Sequence, residues 1–198
     1  GSWTQTAGNG TTTIAGALDT DLIAGIDFNG AAFTANSTIA TANGGTLTIT
    51  NSGNFTTAAP GDISIDGAFL QDGAGNNLLA GDITTTTDNI QLDGDSTITG
   101  DLTISSGAGA GDILFNGIIG GMAASSQDLT ITSGSGTSTF VGNVGSATTL
   151  RDATISAAEI VIGANFEVGS DLTLTSDDID LNGGANSLVG VDTLSLLP

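Results

Sequence analysis

Cysteine, histidine and tyrosine are absent from the 198 residues, and lysine and arginine together amount to one residue, Arg151. These gaps exclude cysteine nucleophiles, serine–histidine relays, Schiff-base lysines and metal sites built from His or Cys. With one cation the chain has almost nothing to neutralise phosphates, so nucleic acid is not an expected partner. Aromatic residues make up 4% of the chain, too few to line a sugar-stacking cleft. No apolar run approaches the roughly 18–20 residues of a membrane span, and no basic–apolar leader opens the sequence, so direct membrane insertion is not expected. The lack of cysteine suits a reducing cytosol and a disulfide-free secreted protein equally.

What remains is acidic and apolar together. There are 21 Asp and Glu, a net charge of −20, and 38% hydrophobic residues. That much apolar surface argues against an acidic disordered tail. Helix is disfavoured by 31 glycines spread along the chain, since each interior glycine costs a helix about 1 kcal/mol. A short alternating unit recurs instead: Leu47-Thr48-Ile49, Ile63-Ser64-Ile65, Leu102-Thr103-Ile104, Leu129-Thr130-Ile131, Leu172-Thr173-Leu174 and Leu194-Ser195-Leu196. Alternation of period two marks strands buried on one face, and Thr and Ile favour them. The chain is all-β.

Spacing carries the architecture further. The series Ile26, Leu47, Ile63, Ile83, Leu102, Leu129, Leu150, Leu172, Leu194 recurs at a period near 20 residues, which is typical of solenoid coils. A second phase falls between, at Phe55, Ile90–Leu92, Ile113–Phe115, Phe140, Ile160–Ile162 and Ile179–Leu181. Two phases predict two main faces per coil and about nine coils in a rod about 40–45 Å long. An antiparallel sandwich also places short strands at regular intervals. The self-similarity of Gly61–Ile65, Gly100–Ile104, Gln127–Ile131 and Ser170–Leu174 favours the solenoid. Gly1-Ser2 reads as a cloning remnant, and residues 3–198 as a single β-solenoid segment taken from a longer repeat protein.

The strings Gly111-Asp-Ile-Leu-Phe-Asn-Gly-Ile-Ile-Gly120, Asp128-Leu-Thr-Ile-Thr-Ser-Gly-Ser-Gly-Thr137 and Thr139-Phe-Val-Gly-Asn-Val-Gly145 resemble filamentous-haemagglutinin-type repeat proteins. The likeness covers most of residues 45–198 and rests on repeat cadence. It implies a right-handed parallel β-helix forming the shaft of a large secreted or surface-attached bacterial adhesin. A host or neighbouring cell surface, a glycan or a matrix component is then the implied partner. The Asn-Pro-Asn-Gly-type secretion signature of that family is missing here, so the resemblance concerns the shaft alone.

Three candidate chemistries arise. Asp62, Asp82, Asp101, Asp128 and Asp171 each precede a strand. In register they would lie about 5 Å apart, repelling by roughly 1 kcal/mol in water and 3–4 kcal/mol at an effective dielectric of 20. Local amide hydrogen bonds are one relief; Ca²⁺ shared between neighbours is the other. The second is an outward face of Thr48, Thr50, Thr84, Thr86, Thr103, Thr130, Thr132, Thr173 and Thr175. Stacked, these form a flat hydroxyl–methyl surface that resembles the ice-binding face of solenoid antifreeze proteins. Strand propensity alone also accounts for threonine there. Third, parallel β-helices host polysaccharide lyases and glycosidases, but those use basic residues or aromatic-lined clefts that this composition lacks. The reading is therefore non-catalytic: a shaft or adhesive segment, with ice binding and then a carbohydrate-active β-helix as the alternatives. Leu194, Leu196 and Leu197 give the last coil an apolar end, which predicts end-to-end stacking.

Overall fold

The computed structural model describes residues 1–189 and 192–198, wound into about nine coils with a repeat near 22 residues. The strands pair in parallel, each with its counterpart one coil away, and no helix occurs among the described residues. Coil length is uneven. It runs from 19 residues between Asp152 and Asp171 to 27 between Asp101 and Asp128. The ladder tolerates this because the extra residues fall in corners, outside the paired segments.

Each coil has three faces where the periodicity predicted two. The first sheet has nine strands, from Trp3–Gln5 through Ile26–Gly30, Leu47–Asn51 and Phe69–Gln71 to Asp178–Leu181. The second begins with Thr11–Ile14, Ala32–Ala35, Phe55–Thr57 and Asn77–Leu79 and ends at Ile119–Gly121. Single bridges at Val144 then carry it to the pair Phe166–Glu167 and Leu188–Val189. The third, nine strands again, runs from Leu18–Thr20 to Leu194–Leu197 and includes Ile83–Thr85, Leu102–Ser105, Leu129–Thr132, Ala153–Ser156 and Leu172–Thr175.

The missing face has a physical cause. Inward positions of the second sheet are held by Ala35, Thr57, Asn77 and Ser96 as well as by Phe and Ile, all buried, so the apolar–polar alternation fades there. The single series from Ile26 to Leu194 in fact joins different sheets. Ile26 and Leu47 pair in the first, Ile63 and Ile83 in the third, and Leu150 bridges Val168 beside the second.

The core is a column of aliphatics with phenylalanine stacks at two levels. All seven phenylalanines are buried. Phe28, Phe33, Phe55 and Phe69 form one run, with ring centroids 4.0–6.0 Å apart; Phe115, Phe140 and Phe166 form another at 5.7 and 5.1 Å. Glycine serves the corner between the first and second sheets. A Cβ on Gly75 would lie 1.6 Å from the Gly53 carbonyl oxygen, and one on Gly94 would lie 2.0 Å from that of Gly75. Only glycine lets successive backbones stack so closely there.

Candidate functional site

The sequence-predicted carboxylates line the corner that leads into the third sheet, and three of them, Asp62, Asp82 and Asp101, accept a backbone amide from the next coil. Asp62 Oδ1 accepts the Asp82 amide at 3.0 Å, Asp82 Oδ1 the Thr103 amide at 2.7 Å, and Asp101 Oδ1 the Asp128 amide at 3.0 Å. Asp152 Oδ1 accepts the Asp171 amide at 3.0 Å. These amides sit where the ladder turns the corner and would otherwise lack a partner. The column is stepped. Ile83 pairs with Ile104, whereas Leu102 pairs with Leu129. Asp82 is therefore level with Thr103, and the register restarts as Asp101, Asp128, Asp152 and Asp171.

Asp152 belongs to this set, and the sequence pattern hides it because Leu150 imitates the strand start that Ala153 provides. A short polar residue immediately before a strand would have marked it. The corner entering the first sheet repeats the device: Asn89 Oδ1 takes the Asp112 amide at 2.9 Å, and Asp112 Oδ1 the Thr137 amide at 2.8 Å.

Arg151 stands in the middle of the acidic column. Its guanidinium donates to Asp128 and lies 3.9 Å from Asp101 and 3.6 Å from Asp152. The hydrogen bond that Arg151 donates to Asp128, then the charge of Asp128, raises the Arg151 pKa above the usual arginine value. Arg151 thus supplies positive charge beside both Asp101 and Asp128. Asp128 Oδ1 is buried without a hydrogen-bond partner. Among the described residues no three carboxylates converge as a metal-binding group. Amide donors and Arg151 relieve the like-charge contact, so equal melting shifts are expected from CaCl₂ and NaCl at matched ionic strength. A larger calcium shift that grows with the logarithm of calcium concentration and vanishes in Asp101→Asn/Asp128→Asn would instead establish calcium bridging.

At the corner between the third and first sheets, Asp66 accepts the Gly44 amide at 2.9 Å and the Thr86 hydroxyl at 2.8 Å. The Gly44 amide, then Thr86, hold its carboxyl below the ordinary aspartate range. A depressed folded-state pKa means these contacts stabilise the coil at neutral pH and lose that contribution as acid protonates Asp66.

The threonine set divides among surroundings. Thr48 and Thr50 lie on the first sheet, where Thr50 donates to Asp72 at 2.6 Å. Thr86 lies just beyond its strand, tied to Asp66. Thr84, Thr103, Thr130, Thr132, Thr173 and Thr175 do share the third sheet, joined by Ser105, Thr154 and Ser156. The grooves on the molecule are shallow. One runs along the first corner past Asn9, Asn29, Thr50 and Asp72; another crosses the first sheet past Gln91, Leu114, Thr139 and Glu159.

No family model, curated protein or solved structure matches the chain.

Proposed function

We propose that the chain is a non-catalytic spacer: a stretch of shaft, with an adhesive surface, from a secreted or cell-surface bacterial repeat protein. The supporting observation is that parallel ladders run along the rod and the terminal strands stay open. Trp3–Gln5 and Asp178–Leu181 each pair on one side only in the first sheet, as do Leu18–Thr20 and Leu194–Leu197 in the third. Leu194 and Leu196 continue the columns of buried Leu172 and Leu174. Among the described residues no strand pairs beyond Leu194–Leu197, and Leu194 and Leu196 are about half exposed, at 49% and 53%. Such a module lengthens by adding coils. Asp62, Asp82, Asp101 and Asp152 are occupied by backbone amides of the next coil, an arrangement suited to holding the rod together. The outer hydroxyl, amide and carboxylate groups face the partner, for which a cell surface, glycan or matrix component is the class favoured by the repeat likeness.

Small-angle scattering on one copy and on two copies joined head to tail through a coil-length segment tests the spacer reading. One copy should give a rod about 43 Å long, from nine strand spacings of about 4.8 Å. The tandem should be roughly twice as long and equally thick. A tandem that scatters as two independently tumbling bodies would refute coaxial continuation. The open ends also predict concentration-dependent end-to-end association, because head-to-tail contacts do not close.

A further inference from the structure

We infer that the outer face of the third sheet is an ice-binding surface, a property separate from the spacer role and resting on different residues. Its outward positions form two rows. Thr103, Thr130, Thr154 and Thr173 are consecutive partners in one. Thr84, Ser105, Thr132, Ser156 and Thr175 make the other. Neighbours within a row are one strand spacing apart, about 4.8 Å, and the rows are separated by two residues of strand, about 6.6 Å. From Leu102 to Thr175 four strands stack one-to-one with no bulge in the register. The result is a two-dimensional lattice of hydroxyls, with a methyl beside each threonine hydroxyl.

Strand propensity alone does not produce this face, because it would act on all three sheets alike. The corresponding outward row of the first sheet is Asp27, Thr48, Leu70, Gln91, Leu114, Thr139, Val161 and Asp180. That of the second interrupts its threonines with Leu78 and ends at Gly120. In a chain of net charge −20, the outward positions of strands Leu102–Ser105, Leu129–Thr132, Ala153–Ser156 and Leu172–Thr175 carry hydroxyls only.

The threonine hydroxyls of the four stacked strands are also uncommitted, whereas at the margin Thr84 donates to the Ile63 carbonyl and Ser105 accepts the Gly107 amide. Thr50, Thr86 and Thr137 donate to Asp72, Asp66 and Glu159. Among the described contacts, the side chains of Thr103, Thr130, Thr132, Thr154, Thr173 and Thr175 form no hydrogen bond within the protein, though each is at least partly exposed.

A ligand for such a face must itself be a lattice. The two hydroxyl rows themselves offer a charged partner no counter-charge, which is confined to the aspartate column at their edge, and a sugar finds no aromatic to stack on. A water layer ordered over hydroxyls and methyls at fixed spacing matches a growing ice plane, whose oxygens repeat at a comparable distance. Threonine side chains are stiff at χ1 and sit on a hydrogen-bonded sheet, so little order is lost on binding. Adsorption at many such points curves the ice front between them and stops its growth.

The test measures thermal hysteresis and ice recrystallisation for the intact chain and for Thr130→Tyr, Thr154→Tyr and Thr56→Tyr. The first two put a bulky ring in the middle of the face; the third makes the same change on the second sheet. Circular dichroism checks that each is folded. The intact chain and Thr56→Tyr should shape ice and inhibit recrystallisation, while Thr130→Tyr and Thr154→Tyr lose most of that activity. Absence of both effects in the folded chain overturns the inference, as does equal loss from Thr56→Tyr. Either result leaves the scattering test of the spacer untouched.

Discussion

Ile104→Asp is expected to unfold the central coils. Ile104 is fully buried in the middle of the third sheet, between Ile83 on one coil and Ile131 on the next. Removing its side chain forfeits about 1.5–3 kcal/mol of apolar burial. The carboxylate that replaces it meets aliphatic neighbours and no cation, so its desolvation adds several kcal/mol or forces it to stay protonated. The sum is comparable with the whole stability of an ordinary domain, about 5–15 kcal/mol. A coil contacts only its neighbours and shares its stability with them, so the damage spreads along the rod. Thr103→Asn is the control. One residue away it points outward, and its change in stability should stay within about 0.5 kcal/mol. Denaturant unfolding followed by strand circular dichroism measures both. A loss below about 1 kcal/mol for Ile104→Asp would mean that the alternation has been assigned to the wrong face.

That alternation is the part of the fold most plainly written in the sequence. Leu102-Thr103-Ile104 and Leu129-Thr130-Ile131 have apolar residues in and threonine out, and they pair residue for residue. The aspartates before them were legible as corner residues because a short carboxylate is a natural acceptor for a turning backbone. What could not be read was which coil lies over which. The gap from Leu102 to Leu129 contains the loop Met122–Gln127, and Leu150 imitates a strand start three residues early. The step between Asp82 and Asp101 and the membership of Asp152 follow from register, which local pattern does not encode when coil length varies. The second sheet was hidden for another reason. Its inward residues include amides and hydroxyls, which look like loop chemistry until their partners are seen.

Inward polar groups at the end of the first sheet's strands carry the second large effect. Gln71 is fully buried where the first sheet turns toward the second. Its Nε2 donates to Asn51 Oδ1 at 2.9 Å and to the Gly73 carbonyl at 3.0 Å. Its Oε1 accepts the Gly94 amide at 3.0 Å and the Asp93 amide at 3.2 Å. One amide thus ties three coils together at a corner where glycine backbones stack too closely for other side chains. Gln71→Leu keeps the length of the side chain and removes all four contacts. The Asp93 amide still reaches the Gln71 carbonyl at 3.0 Å. The Gly94 amide, the Gly73 carbonyl and Asn51 Oδ1 each lose a bond inside the rod, at about 1–3 kcal/mol for each buried group left unpaired. We expect a loss of about 3–6 kcal/mol in denaturant unfolding, far more than leucine's better transfer energy returns. Asn51→Ala should also destabilise, since the Asn51 amide donates to the Gly53 carbonyl as well. In Gln71→Leu the Asn51 Oδ1 is already orphaned, so the double variant should lose less than the sum of the singles. Strict additivity, or a loss below about 1 kcal/mol for Gln71→Leu, would show that the Asn51–Gln71 pair does not hold the corner and that backbone ladders alone carry the chain through it.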